Sequence, residues 1–337
     1  MNYRSIADMN DTIMRNLPRL PRDIDLVVGV PRSGLLAGNL LCLALNIALT
    51  DVEGFLEGRV LAAGKTRRTA RLDRDPAALK RVLVIDDSIY RGNAMEEVRR
   101  RIEAAAPEAE ITYCAVYGNE TSHPAVDIVL EAVPQPRMFQ WNVFHHASLE
   151  HCCVDIDGVL CCDPTHEEND DGERYRRFLA ETAPMLVPSK PLGWLVTSRL
   201  EKYRAETEDW LAKAGISYRE LIMLDLPGAE ARRQARAHGS FKGEVYRALD
   251  ALLFIESELE QAEEIARLSG KPVLCIETHH VVMPEPSLLA TRQALRALPR
   301  RRRLAESPPV LNLAVRSLLG ERAYGGLRAL VKGRAGG

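Results

Sequence analysis

Two short segments of the sequence combine acidic residues with a glycine turn. Residues 82–93 have the sequence VLVIDDSIYRGN, and residues 153–159 have the sequence CVDIDGV. Each begins with an apolar run that predicts a buried strand and ends in carboxylates followed by glycine. Parallel α/β sheets bind phosphate at such strand ends, because acidic side chains and the free amides of the next helix meet there. Both segments are therefore candidate sites for a phosphorylated sugar.

The first segment carries two adjacent carboxylates. We expect Asp86 and Asp87 to accept hydrogen bonds from the vicinal hydroxyls of a ribose. The following loop would surround the 5-phosphate, since amides at a helix start have no partner within the helix and glycine allows close approach of the backbone. In this loop we assign substrate binding to Ser88, Tyr90, Arg91, Gly92 and Asn93.

Residues 25–117 resemble the type I phosphoribosyltransferases, whose signature is an apolar strand, two acidic residues and a small-residue phosphate loop. The resemblance implies phosphoribosyl pyrophosphate as the donor. The sequence departs from the family at Tyr90 and Arg91, where Thr or small residues are usual. The alternative is that Asp86 and Asp87 only cap a helix in a flavodoxin-like or receiver-like sheet.

Two upstream stretches also match the order of this family. In the turn GVPRSG at residues 29–34, the resemblance implies that Arg32 and Ser33 contact pyrophosphate and Mg²⁺. The stretch 58–71 stands where the family has a mobile loop that closes over the reacting centre. There Lys65 and Arg67 would neutralise charge on the departing pyrophosphate.

The second segment places two aspartates two residues apart at a strand end. This spacing aims both carboxylates at one pocket, so that one can attack phosphorus while the other gives a proton to the leaving alkoxide. The segment resembles the haloacid-dehalogenase-type phosphatases, which implies Asp155 as nucleophile and Asp157 as acid/base. The alternative is an inactive scaffold of the same fold.

Three later motifs follow the order of the phosphatase family. The resemblance implies that Thr197 binds the phosphoryl oxygens, that Lys242 offsets charge on the aspartyl phosphate, and that Mg²⁺ is held by Asp155, Asp157 and Glu256. The sequence leaves open whether Glu256 or Glu260 reaches the metal. Fewer than forty residues separate Gly158 from Thr197, which leaves little room for a large cap and favours a bulky substrate; the alternative is a cap supplied by the other domain.

Length and composition predict two α/β domains, each a largely parallel sheet flanked by helices. The chain has 337 residues, of which 46% are hydrophobic and 27% charged, and no apolar run long enough to cross a bilayer. We expect residues 1–148 to be phosphoribosyltransferase-like, 149–285 phosphatase-like, and 286–337 a basic tail. The absence of a signal pattern at the start predicts a cytoplasmic protein with reduced cysteines.

The tail differs in charge from the rest of the chain. Residues 292–337 have a net charge of +9, although the whole chain has −2. Apolar residues stand among basic ones there, so the tail is a candidate for peripheral contact with the inner face of a membrane or with another protein. Nucleic-acid binding is not expected, because the remaining chain is acidic and offers no stacking platform.

Together, the two resemblances imply successive reactions on one metabolite. The fusion resembles the ribofuranose-transfer enzymes of bacterial polysaccharide biosynthesis, which implies transfer of 5-phosphoribosyl to a glycan acceptor, including a lipid-linked one, followed by removal of the 5-phosphate. Two alternatives remain: a nucleobase phosphoribosyltransferase with an attached nucleotidase, and a regulatory protein that senses phosphoribosyl pyrophosphate.

The clustered cysteines 152, 153, 161 and 162 could indicate a zinc site. However, adjacent thiolates in one strand point to opposite faces, so the pattern predicts core packing instead.

Overall fold

Alternating strands and helices build two large sheets, and two further short strands pair with each other; all lie within one compact unit, Met1–Met283. The computed structural model describes residues 1–61, 79–105, 108–228, 231 and 237–284. The predicted α/β class with largely parallel sheets is confirmed. Among the described residues, no helix is both long and apolar enough to cross a membrane.

The first sheet belongs to the N-terminal half of the chain. In the described part of the chain its strands are β2 (Leu26–Gly29), β3 (Ala48–Asp51), β4 (Arg81–Ser88), β5 (Glu110–Gly118) and β6 (Ile128–Ala132). They are parallel throughout and stand in the spatial order β3-β2-β4-β5-β6. The central strand is β4, which carries the paired aspartates.

Helices cover both faces of this sheet. They are α1 (Ile6–Asn16), α2 (Ser33–Leu45), α3 (Val52–Leu56) and α4 (Asn93–Ala104). Side chains alternate between the two faces along each strand, so Leu83 and Ile85 of β4 pack in one hydrophobic cluster while Val82 and Val84 pack in the other. Burial on both faces explains why these strands are continuous apolar runs in the sequence.

The second sheet follows the same plan in the C-terminal half. Its described strands are β8 (Cys152–Val154), β9 (Leu192–Leu200), β10 (Tyr218–Leu224), β11 (Leu253–Glu256), β12 (Val273–Cys275) and β13 (His280–Val282). Their spatial order is β10-β9-β8-β11-β12-β13, and only the β12–β13 pair among them is antiparallel. The accompanying helices are α5 (Glu173–Glu181), α6 (Arg204–Lys213), α7 (Ala237–Ala248) and α8 (Leu259–Ser269).

The cysteines of β8 are part of the core, as the sequence predicted. Cys152 and Cys153 are both fully buried and belong to different clusters on the two sides of the strand. Cys162, by contrast, is exposed.

A short segment joins the two sheets. It contains β7 (Arg137–Phe139), which pairs in parallel with β1 (Asn2–Arg4), and two 3-10 helices, Gln140–His145 and Ala147–His151. Val143, Phe144 and Leu149 from these helices pack in one cluster with residues of β8. The predicted boundary at residues 148 and 149 lies within this segment, and the division into separate domains stays a prediction.

Candidate functional site

The first candidate site lies at the carboxyl ends of β2 and β4, which are neighbours in the sheet. Asp86 and Asp87 lie near the end of β4, and α2 begins at Ser33, just beyond β2. The Ser33 hydroxyl donates to Oδ1 of Asp87 at 2.7 Å, so the predicted pyrophosphate turn and the paired aspartates meet as expected from the parallel topology.

Asp87 is also held from a distant part of the chain. The indole Nε1 of Trp141, in the 3-10 helix Gln140–His145, donates to Oδ2 of Asp87 at 2.8 Å. Asp87 is only 5% exposed, and each of its carboxylate oxygens accepts a side-chain hydrogen bond. The sequence analysis did not foresee this contact with Trp141.

Asp86 has a different environment, although it is the adjacent residue. It is partly exposed, and its Oδ1 accepts the backbone N–H of Asp87 at 2.8 Å. Burial raises the pKa of Asp86 to about 8, and the neighbouring charge of Asp87 adds to this rise. Burial beside a second carboxylate therefore favours the protonated form of Asp86.

The predicted phosphate loop connects β4 with α4. Gly92 precedes the helix with φ of 87°, a conformation that favours glycine, and an added Cβ would lie 2.6 Å from Cε1 of His123. Asn93 opens α4, Ser88 ends β4, and Tyr90 and Arg91 between them are exposed. The α4 start thus presents backbone amides beside the aspartates, which suits a phosphate group.

A buried arginine donates a hydrogen bond to the backbone of this loop. Arg137 of β7 donates through Nη2 to the carbonyl oxygen of Ile89 at 2.8 Å and through Nη1 to the carbonyl of Val133 at 3.2 Å. Its guanidinium lies 5.5 Å from the ring centroid of Phe139. The segment after β6 therefore contacts both the phosphate loop and, through Trp141, Asp87.

The remaining residues predicted for this site are in different positions. Arg32 is exposed and immediately precedes α2, beside Ser33. Lys65 and Arg67, with the rest of the predicted closing loop after residue 61, lie outside the described residues. Their role stays a prediction.

The second candidate site lies at the carboxyl ends of β8 and β11, also neighbouring strands. Lys242 Nζ donates to Oδ2 of Asp155 at 2.6 Å, to Oε2 of Glu256 at 2.8 Å and to Oε1 of Gln261 at 3.0 Å. An ammonium group has three N–H donors, so these three acceptors match its full capacity. Glu256 is buried at this centre, whereas Glu260 is exposed on α8.

Charge pairing offsets the free-energy cost of burying the ionised side chains of Asp155, Lys242 and Glu256. Burial raises the pKa of Asp155, an effect that Lys242 opposes and that Glu256 and Asp157 reinforce. Burial alone would lower the pKa of Lys242, but the two carboxylates raise it above its ordinary value. One cation between two anions is the arrangement that keeps a buried lysine charged.

Asp157 is paired with an arginine to which the sequence analysis gave no role. Arg199 Nη2 donates to Oδ1 of Asp157 at 2.6 Å, and Nε donates to Oδ2 at 3.0 Å. The Arg199 side chain is fully buried, while that of Asp157 is 18% exposed. Thr197, also buried, accepts the Arg199 backbone N–H through its hydroxyl at 3.2 Å.

The turn that follows Asp157 requires glycine at position 158. Gly158 has φ of 72°, and an added Cβ would lie 2.5 Å from the Ser257 side chain. This close approach brings the turn after β8 against the residue that follows Glu256. The described structure therefore brings Asp155, Asp157, Thr197, Lys242 and Glu256 to one edge of the second sheet.

The oxygen donors at both sites suit Mg²⁺. Among the described residues, no three His, Cys, Asp or Glu side chains converge as ligands of a metal ion. Mg²⁺ is commonly bound through one or two carboxylates together with substrate phosphates and water, which the Asp86–Asp87 pair or Asp155 with Glu256 can provide. The three-residue set Asp155, Asp157 and Glu256 stays a prediction, since Arg199 holds Asp157.

Comparison with known families decides the nature of the first half. The phosphoribosyl transferase domain model matches residues 2–147. These residues are a phosphoribosyl transferase domain. The match spans the first sheet, the aspartate pair, the phosphate loop and Trp141, so this domain contains the whole of the first candidate site. A search of curated proteins found no match.

Solved structures similar to the chain also include phosphoribosyltransferases. The xanthine-guanine-hypoxanthine phosphoribosyltransferase of Helicobacter pylori is 14% identical with a TM-score of 0.31, and the match covers 42% of this chain and 95% of that one. The purine phosphoribosyltransferase of Pyrococcus horikoshii is 18% identical with a TM-score of 0.25, and the match covers 41% of this chain and 86% of that one. At these values we conclude nothing further from either structure.

Several residues of these sites were missed because they lie far away in sequence. Trp141 contacts Asp87 across 54 positions, and Arg199 contacts Asp157 across 42. The aromatic cluster around Trp141 and the arginine directly after Thr197-Ser198 were visible as signals. Neither signal identifies the residue that the side chain contacts, because the contact depends on which strands become neighbours.

Proposed function

We propose that this protein transfers a 5-phosphoribosyl group from phosphoribosyl pyrophosphate to a glycan acceptor and then removes the 5-phosphate. The net product is a ribofuranosyl glycan. The observation that supports this most is the presence of two acidic centres at strand ends in one compact unit. The first suits a reaction at the anomeric carbon of a sugar phosphate, and the second suits hydrolysis of its phosphate.

In the first step the oxygen of the acceptor hydroxyl forms a bond to the anomeric carbon as the bond to pyrophosphate breaks, and the hydroxyl proton is released to water. The paired aspartates bind the ribose hydroxyls, and the amides at the start of α4 bind the 5-phosphate. Inversion at the anomeric carbon gives a β-ribofuranosyl 5-phosphate, with pyrophosphate as the leaving group. Arg32 and Ser33 lie at the turn where pyrophosphate would be held.

In the second step Asp155 attacks the phosphorus of the 5-phosphate, and the bond to the sugar oxygen breaks. Asp157 gives this oxygen a proton, for which Arg199 must release one carboxylate oxygen. Water then hydrolyses the aspartyl phosphate and releases inorganic phosphate. Thr197 binds phosphoryl oxygens, and Lys242 balances the negative charge that accumulates at Asp155.

Mg²⁺ bound near the carboxylates would offset charge on pyrophosphate and on the phosphoryl group. Removal of the ion with a chelator should abolish pyrophosphate release, and addition of Mg²⁺ should restore it.

The basic tail at residues 286–337 lies outside the described residues. Its contact with the inner face of a membrane, next to a lipid-linked acceptor, is part of the same proposal.

The decisive experiment combines the purified protein with phosphoribosyl pyrophosphate and a panel of glycan acceptors, and follows the products by mass spectrometry. We expect a glycan carrying an additional plain pentose, together with pyrophosphate and phosphate. The Asp155→Asn variant should instead accumulate the glycan with a phosphorylated pentose, because the first transfer remains intact. Phosphate release by this variant at the wild-type rate would rule out Asp155 as the nucleophile.

The same assay separates the two alternatives. Pyrophosphate release that requires a nucleobase, with none in the presence of any glycan, would identify nucleobase salvage. Binding of phosphoribosyl pyrophosphate without turnover with either class of acceptor would identify a sensor. The matched control is Asp86→Asn, which should prevent the first step and leave hydrolysis of a small phosphate ester unchanged.

A further inference from the structure

Within the proposed first step, we propose that Trp141 is a positioning residue which, with Ser33, fixes Asp87, so that Asp86 is the carboxylate presented to the ribose hydroxyls. The inference rests on the proposed binding of phosphoribosyl pyrophosphate. This inference revises the expectation from the sequence, in which both Asp86 and Asp87 accept hydrogen bonds from the ribose hydroxyls.

The first ground is that the two oxygens of Asp87 are already engaged. Ser33 donates to Oδ1 at 2.7 Å and Trp141 donates to Oδ2 at 2.8 Å, and Asp87 is only 5% exposed. Asp86 is partly exposed, and an added Cβ on Gly34 would lie 3.0 Å from its Oδ1. Asp86 therefore borders the pyrophosphate turn and is the more accessible of the two carboxylates.

The second ground is that Trp141 is held in a fixed orientation. Its ring is stacked on Phe139 at a centroid distance of 4.8 Å with an interplanar angle of 3°, and Tyr117 continues the stack at 5.3 Å from Phe139. Offset aromatic stacking restricts the ring, and an indole has a single N–H donor. This donor consequently points at Asp87 and has no alternative role.

The third ground is the position of the segment that carries Trp141. Four residues earlier, Arg137 binds the carbonyl of Ile89 at the start of the phosphate loop. The same short stretch thus sets the direction of the carboxylate and the position of the loop that would bind the 5-phosphate. Misplacement of such groups by about 1 Å is enough to cost a large factor in activity.

The test is the affinity for phosphoribosyl pyrophosphate with Mg²⁺, measured by isothermal titration calorimetry. Trp141→Phe keeps an aromatic ring in the stack and removes the N–H. We expect its dissociation constant to rise about tenfold, the typical effect of losing one hydrogen bond to a charged group. Trp210→Phe is the matched control, because Trp210 Nε1 donates to the carbonyl of Thr182 in the other half of the unit.

A double-mutant cycle distinguishes positioning from a general structural effect. In the Asp87→Asn background, Trp141→Phe should cause little further loss of affinity, since the two residues act as a pair. Asp86→Asn should abolish detectable binding, whereas Asp87→Asn should only weaken it. A loss of thermal stability without any change in affinity for Trp141→Phe would overturn the inference.

The outcomes also separate this inference from the function on which it rests. If the wild-type protein does not bind phosphoribosyl pyrophosphate, the proposed function fails and the inference fails with it. If the wild-type protein binds and Trp141→Phe binds equally well, only the positioning role of Trp141 is refuted. An undiminished effect of Trp141→Phe in the Asp87→Asn background would likewise refute the pairing.

Discussion

Replacement of Asp86 by asparagine should stabilise the folded protein at alkaline pH and have little effect at acidic pH. Burial, with the adjacent charge of Asp87, raises the pKa of Asp86 to about 8. A carboxyl group in an unfolded chain titrates near pH 4. Between these values the folded state retains a proton that the unfolded state has released, so the wild-type protein loses stability as the pH rises.

The size of the effect follows from this proton difference. Each pH unit in the window changes the free energy of unfolding by about 1.4 kcal/mol, so about 4 kcal/mol is the upper limit between pH 5 and pH 8. Partial exposure of the Asp86 side chain reduces this value by about half, to ~2 kcal/mol. Asparagine does not titrate, and its side-chain oxygen can still accept the Asp87 N–H that Asp86 accepts at 2.8 Å.

The assay is urea unfolding of the wild-type protein and Asp86→Asn at both pH values. The variant should gain ~2 kcal/mol relative to the wild type on going from pH 5 to pH 8. Glu120→Gln, at an exposed position, controls for the loss of one acidic side chain. An equal stability difference between Asp86→Asn and wild type at the two pH values would refute the raised pKa of Asp86.

Three further predictions concern the turn and the second site. Gly92→Ala should destabilise the fold by about 1–3 kcal/mol, since φ is 87° and the new Cβ would meet His123, and chemical unfolding measures this. Lys242→Met should cost about 3–5 kcal/mol near neutral pH by leaving Asp155 and Glu256 unpaired, and part of the loss should return on acidification as a carboxylate is protonated, which unfolding at two pH values tests. Arg199→Lys keeps the charge and loses the two-point contact with Asp157, so hydrolysis of a small phosphate ester should fall by about tenfold or more. An unchanged hydrolysis rate, with unchanged thermal stability, would show that Arg199 does not orient Asp157.

The central strands could be predicted from local sequence with good accuracy. The apolar run ending in Asp86-Asp87 became β4, and the run before Asp155 became β8. Residues 82–85 of β4 and the whole of β8 are buried and apolar, so the pattern is distinct. Residues 218–224 were missed as a strand because β10 is an edge strand and its first residues, including Arg219 and Glu220, are polar and exposed.

The candidate sites were predictable in part for the same reason. Parallel strands bring their carboxyl ends to one edge, so acidic residues directly after apolar runs were expected to meet. The contacts of Lys242 with Asp155 and Glu256 agree with that expectation. The choice between Glu256 and Glu260 depended on the length of β11 and the start of α8, which propensities define only within a few residues.

The sequence alone determined the α/β class, the acidic strand ends and the glycine turns, because these depend on neighbours within about ten positions. Only the tertiary structure decided that Trp141 and Ser33 enclose Asp87, and that Arg199 holds Asp157. Such contacts join residues separated by 42 to 54 positions. They arise from the order of strands in each sheet and from the packing of the joining segment, which no local pattern of residues encodes.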